Sequence, residues 1–278
     1  MTIQTGTAGS HQPHGNRIKE SLIMNTPTPP QRTNPLSPES SPATSRPAPI
    51  DPVRVLKRIG NCNICTHTDD ELGFFYASGL NVDADGSPHA YHPDGISGLD
   101  HLGNAGRPGN WWALVTHDGK ASGNPVIQKA NDPAPGFYVS TTSLQNPSFD
   151  RKDPRRYVNS EAISFIVLPA GLNLGAKLGD YAVVIRPETG AIAYAVYADV
   201  GPAGKIGEGS IALANALGVP SSAKTGGVAS GIIYLVLPGS ADAFPSSQAD
   251  IDTAGAAFLA IWGGLDRVRD KFSKMKWA

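Results

Sequence analysis

Two runs rich in small and β-branched apolar residues, 181–186 and 191–198, stand on either side of Pro187-Glu188-Thr189-Gly190. The four residues between them are types that reverse a chain, so the runs are expected to pair as an antiparallel hairpin. That expectation fixes neighbours. With Thr189-Gly190 at the turn centre, Asp180 falls opposite Asp199 at the open end; centring on Glu188-Thr189 makes the two diagonal neighbours. Either register predicts two carboxylates in one neighbourhood, where like charges raise the pKa of one member.

After Asp199 the chain runs through the glycine-rich 200–207 segment to Glu208, then Gly209 and a short predicted helix, 210–217. Ser210 is its expected N-cap and Gly218 its stop. Glycines on both sides leave Glu208 unshielded and open to a polymer backbone. Singly, each acid has an ordinary structural explanation: Asp180 as a turn residue, Asp199 as a strand end, Glu208 as a charge favoured at a helix start. Together they form the concentration that acid and base work on a glycosidic bond requires, two carboxylates converging from different elements.

Residues 1–52 read as a disordered tail, since 26–52 is dominated by Pro, Ser, Thr and Asn. From Val53 onward short apolar runs alternate with turn residues, the clearest strands being 161–168, 181–186, 191–198 and 231–237. A helix is predicted over 249–274, with Ile251, Ala254, Phe258, Ile261, Leu265, Val268 and Phe272 on one face and Gly263-Gly264 bending or dividing it. The expected fold over 53–278 is one β-rich α+β domain. It would be an antiparallel sheet or a small, partly closed β-barrel, with a short helix after the acidic loop and the C-terminal helix packed outside.

The 23 basic and 24 acidic residues give no global field, so neither nucleic acid nor a membrane surface is an expected partner. No apolar run approaches the roughly 18 residues of a membrane span. The N-terminus lacks the basic, apolar and small-residue succession of a secretory signal. Cys62 and Cys65 supply half of a zinc pattern and read as two small, partly buried residues or one short disulfide.

Asn81-Val82-Asp83-Ala84-Asp85-Gly86 copies the first half of a calcium loop, but the closing Glu is replaced by His92. A turn held by Asx hydrogen bonds is expected instead, the alternative being that Asp83 or Asp85 faces a cleft. His89 and His92 read as surface or hydrogen-bonding residues, and neither a metal nor a cofactor is expected. Of Trp111 and Trp112, alternation turns one to the core and the other outward, where it can act as a platform for a sugar ring.

Three stretches carry a family likeness: Leu178-Gly179-Asp180-Tyr181-Ala182-Val183-Val184, then Tyr194-Ala195-Val196-Tyr197-Ala198-Asp199-Val200-Gly201-Pro202, then Ile206-Gly207-Glu208-Gly209-Ser210. Together with Gly226-Gly227 and Gly231-Ile232-Ile233-Tyr234-Leu235-Val236, they resemble the core of glycoside hydrolase family 75, the fungal-type chitosanases. The similarity covers 72–239 and is strongest over 161–237. The resemblance implies endo-hydrolysis of β-1,4 linkages in chitosan or a related aminosugar polymer by single, inverting displacement. It also implies an extracellular enzyme, and carries the family's essential aspartate and glutamate onto Asp199 and Glu208. Glu208 is assigned the general acid and Asp199 the base, with Asp180, Asp83, Asp85 and Trp112 as substrate-binding or pKa-tuning residues. The rival expectation is a glycan-binding or wall-associated module on the same scaffold.

Overall fold

The computed structural model describes residues 52–278 apart from 70, 71, 173, 242, 243, 245 and 246. The tail expected over 1–52 lies, except for Pro52, outside the described residues. Strands β1 (Val53–Ile59), β2 (Cys62–His67) and β3 (Phe74–Asp83) follow one another as an antiparallel meander. The chain then leaves the sheet for some eighty residues. That excursion contains one small ladder, β4 (Gly106–Arg107) with β5 (Asn110–Trp111), and a few isolated bridges.

It returns as β6 (Phe165–Pro169), β7 (Tyr181–Arg186), β8 (Ala191–Gly201), β9 (Glu208–Ser210), helix α1 (Ile211–Ala216) and β10 (Val228–Val236). Helices α2 (Gln248–Ile261) and α3 (Gly264–Lys271) complete the order. The main sheet runs β1-β2-β3-β10-β7-β8-β6-β9, and β9 pairs back onto β3, closing six strands into a barrel.

The closing element is the three-residue β9, a stretch expected as loop. It lies parallel to β3, with Asn81 opposite Glu208, and antiparallel to β6, with Val167 opposite Glu208. Gly207 makes this approach possible. Its φ of 86° lies in the left-handed region, and its carbonyl accepts from Asn81 N at 2.9 Å. A Cβ there would stand 2.7 Å from the Gly79 carbonyl.

Alternation sorts the barrel's two faces. Inside lie Tyr76, Leu80, Ile166, Leu168, Tyr197 and Tyr234, with the Tyr76 and Tyr234 rings stacked at 4.7 Å. On the outside, Phe75, Val183, Ile185, Ile233 and Leu235 are covered by Phe258, Trp262 and Val268 from the C-terminal helices. Each such side chain stabilises the fold by about 1.5–3 kcal/mol on burial. The predicted helix is divided at Gly263, whose φ is 104°. The break corrects one expected core position: Ile261 is 65% exposed, because α2 ends there and the fully buried Trp262 takes its place.

Cys62 packs toward the barrel interior and Cys65 toward the helix-covered face, and both thiols are free. Three residues of strand separate their Cα atoms by about 10 Å, beyond the roughly 7 Å a disulfide can span. Burial pushes the Cys62 thiol up to about 11, so it stays protonated at neutral pH. The expected outcome of adding a reductant is an unchanged melting temperature, measured by calorimetry or circular dichroism; a fall would contradict this arrangement.

Candidate active site

Strand β8 runs parallel to β6, and their register slips by one residue between the pairs Ile166↔Tyr197 and Val167↔Asp199. Ala198 is the extra residue of a β-bulge. Strict alternation from Tyr197, which points into the barrel, would turn Asp199 inward as well. The bulge instead places Asp199 opposite Val167, which packs on the outer face with Val196 and Ala198. The segment 143–144 docks on the same irregularity, with Leu144 N donating to the Ala198 carbonyl at 2.8 Å. Ser143 N and Oγ donate to Asp199 Oδ1 at 3.0 and 2.5 Å, and Val200 N at 2.8 Å.

Glu208 reaches the same face from the other side of β6. Val167 is thus the partner of both acids, one across a parallel and one across an antiparallel ladder. Two strand spacings separate their backbones by about 9–10 Å. Gly201 keeps the space between them open, since a Cβ there would stand 3.4 Å from Glu208 Oε2. Glu208 is half-buried, and among the described residues no donor is bonded to its carboxylate.

The third contributor is the end of β3 and the turn that follows. Asp85 N donates to Asp83 Oδ1 at 2.8 Å, the expected Asx bond. Asp85 accepts from Tyr91 Oη at 2.7 Å and Ser140 Oγ at 3.3 Å. Asp83, Asp85 and Asp199 each offer a carboxylate oxygen within 4.8 Å of one another, a spacing that a cation could bridge.

A cleft of about 790 Å³ brings together Asp83, Asp85, Trp112, Asp199 and Glu208. Trp111 is buried in the small core of the excursion, while Trp112 is 61% exposed on the cleft wall, its Nε1 donating to the Asn104 carbonyl at 2.7 Å. That bond fixes the ring in place.

Burial is the largest cause of every pKa shift in the cleft. It holds Asp83 well above the usual carboxylate range, followed by the charges of Asp85, Asp199 and Glu208. Asp85 is held up in the same way, by burial and then Asp199, against the Tyr91 hydrogen bond. Asp199 is raised by burial and drawn back by its Ser143 and Val200 donors. Glu208 is raised by burial, lowered by Lys205, and raised again by Asp199 and Asp100. The helix entrance that should have favoured ionised Glu208 has little hold on it: Glu208 lies in β9, and the cap of the six-residue α1 is Ser210 Oγ, which accepts from Leu213 N.

Asp180 does not join this group. Tyr181 pairs with Val196 and Arg186 with Ala191, which centres the hairpin turn on Glu188-Thr189 and sets Asp180 beside Tyr197. Its side chain is fully buried and accepts from the amides of Lys177, Gly239 and Ala241 at 2.7, 3.1 and 2.9 Å. It ties β7 to the segment after β10 instead of tuning Asp199. His89 bonds Glu161 at 2.9 Å and His92 pairs with Asp94 at 2.9 Å, both outside the cleft.

Three cleft residues went unforeseen. Asp100 is buried and holds Asn104 Nδ2, at 3.0 and 2.9 Å, and His101 N; Lys205 and Lys224 bring positive charge to the rim. Ser143, which holds Asp199, is likewise a lone serine in a loop. None of these carries a local signal, because each acquires its position from the path of the excursion or of a loop.

Residues 141–261 match the family model described as fungal chitosanase of glycosyl hydrolase group 75. The matched span contains Ser143, Asp199 and Glu208, whereas Asp83, Asp85, Asp100 and Trp112 lie before it. No curated protein matches the chain.

Asp180→Ala strands three buried amides, each worth about 1 kcal/mol or more. An expected loss of about 3 kcal/mol in urea unfolding checks this, with Asp180→Asn milder. Asp83→Asn should act in the opposite direction. A carboxyl whose folded pKa is raised binds more protons folded than unfolded, so its contribution falls as pH rises above the usual range near about 4. Stability curves against pH should therefore show the Asn variant, which keeps an acceptor for Asp85 N, gaining on the parent from pH 4 toward neutrality.

Proposed function

We propose that this chain, a chitosanase-like glycoside hydrolase by its match over 141–261, cleaves the β-1,4 linkages of chitosan within the polymer by inverting displacement. The observation that carries this reading is the placement of Asp199 and Glu208 on either side of Val167, facing one cleft. Their backbones stand about 9–10 Å apart on one face, which leaves space for the water that inversion needs between the two carboxyl groups.

The two acids differ in ways that assign roles. Three donors from Ser143 and Val200 stabilise ionised Asp199, which suits a base. Glu208 has burial and neighbouring acids pushing it up and only Lys205 opposing, which suits a proton donor. In the reaction Asp199 takes a proton from the water as its oxygen bonds to the anomeric carbon. The bond from that carbon to the bridging oxygen breaks, and the Glu208 proton passes to the leaving oxygen. Solvent then returns a proton to Glu208 and removes one from Asp199.

Asp83, Asp85 and Asp100 make the cleft acidic, the sign that attracts glucosamine ammonium groups, and Trp112 offers an apolar ring face. No helix among the described residues is long and apolar enough to cross a membrane. A reducing-end assay on soluble chitosan tests the assignment. Glu208→Gln and Asp199→Asn should each lower kcat by about 10²–10⁴-fold, the usual worth of a positioned acid or base, with folding intact. Full activity in either variant contradicts the assignment, and a silent parent that still binds polymer marks a glycan-binding module.

A further inference from the structure

A second and larger depression, about 1030 Å³, adjoins the acid cleft. The two share Asn81 of β3 and Lys205 of the loop between β8 and β9. Strand β3 runs under both: Ala77 and Gly79 line the new depression, Asn81 both, and Asp83 the cleft. All four lie on the strand's outward face, and the six steps from Ala77 to Asp83 span about 20 Å. The two depressions therefore adjoin as arms along one strand, over a length that several sugar rings would occupy.

The arms differ in sign. The catalytic arm holds five acids against Lys205 and Lys224, whereas the second holds Arg186, Lys276 and the same Lys205 against Glu188 alone. Glu188 is shared, 3.8 Å from Arg186 and 3.4 Å from Lys276, which leaves a net positive charge. An ammonium-bearing sugar would meet repulsion here.

A second feature sits in the same arm. The register of β10 against β3 jumps from Val228↔Leu80 to Ile232↔Ser78, so Ala229, Ser230 and Gly231 stand opposite Gly79 alone, two residues more than a regular ladder holds. Residues of such a bulge are released from the ladder. They line the depression, and Ala229 and Ser230 are exposed, presenting peptide donors and acceptors of the kind an acetamido group pairs with.

We propose that this arm is a second saccharide-binding region that takes uncharged, N-acetylated sugar units of a partly acetylated chitosan. The inference rests on the chitosan reading for the cleft. The enzyme then cuts where an acetylated unit stands at a fixed distance, on one side, from the bond broken.

Two variants test it: Ser230→Trp, which fills the arm at an exposed position, and Lys276→Glu, which reverses a charge; melting temperatures confirm that both fold. Partly acetylated chitosan is digested and the products are sequenced by mass spectrometry. The parent should show acetylated units enriched at one position, Ser230→Trp should lose the enrichment, and Lys276→Glu should reduce it severalfold by admitting glucosamine. Acetyl groups placed at random by the parent, or enrichment untouched by both variants, overturns the proposal. Calorimetric titration with N-acetylchitotetraose separates this from failure of the chitosan reading. Should the parent hydrolyse nothing, binding that Ser230→Trp abolishes still supports the arm, and no binding overturns it.

Discussion

The double pairing of Val167 is the constraint on which the cleft depends. One residue of β6 has Asp199 across a parallel ladder and Glu208 across an antiparallel one. Neither acid would face the cleft on regular strands alone. Asp199 needs the Ala198 bulge to escape the barrel interior, and Glu208 needs β9 to dock between β6 and β3. The same docking closes the barrel, so the placement of the proposed acid pair and the closure of the core are one event. Gly207 is where the two requirements meet, since its left-handed backbone and missing Cβ allow β9 to reach β3.

Crowding follows from that closure. Bringing β9 onto β3 carries Glu208 next to Asn81 and into the company of Asp83 and Asp85. Burial then raises Asp83, Asp85, Asp199 and Glu208, and the charges of neighbouring acids add to it at Asp83, Asp85 and Glu208. The energetic cost of holding them together is met by the apolar layers on both sides of the sheet: the Tyr76 and Tyr234 stack within, and Trp262 against Phe75 outside. Fine control comes from a few polar contacts, with the Ser143 donors holding Asp199 and Lys205 restraining Glu208.

Much of this was legible in the sequence where the signal is local. The hairpin 181–186 with 191–198 forms strands β7 and β8, Ser210 caps its helix, Gly263 divides the C-terminal one, and Trp111 and Trp112 part to opposite environments. The barrel, expected as partly closed, is closed. What local pattern could not supply is register and long-range path. The turn takes one of the two expected registers, but the Ala198 bulge turns Asp199 outward, away from Asp180, and three buried amides give Asp180 a structural duty. A three-residue strand has no periodicity to read, and Asp100, Lys205 and Lys224 reach the cleft only through the folding of loops around it.

The spacing of two acids across one strand has a stereochemical consequence, and the anomer first released reports it. Proton NMR during hydrolysis of glucosamine oligomers should show the α-anomer appearing ahead of mutarotation, as single displacement at a β-linkage requires. Initial release of the β-anomer would mean a covalent intermediate and carboxylates only about 5–5.5 Å apart, and would contradict the placement of Asp199 and Glu208 on either side of Val167.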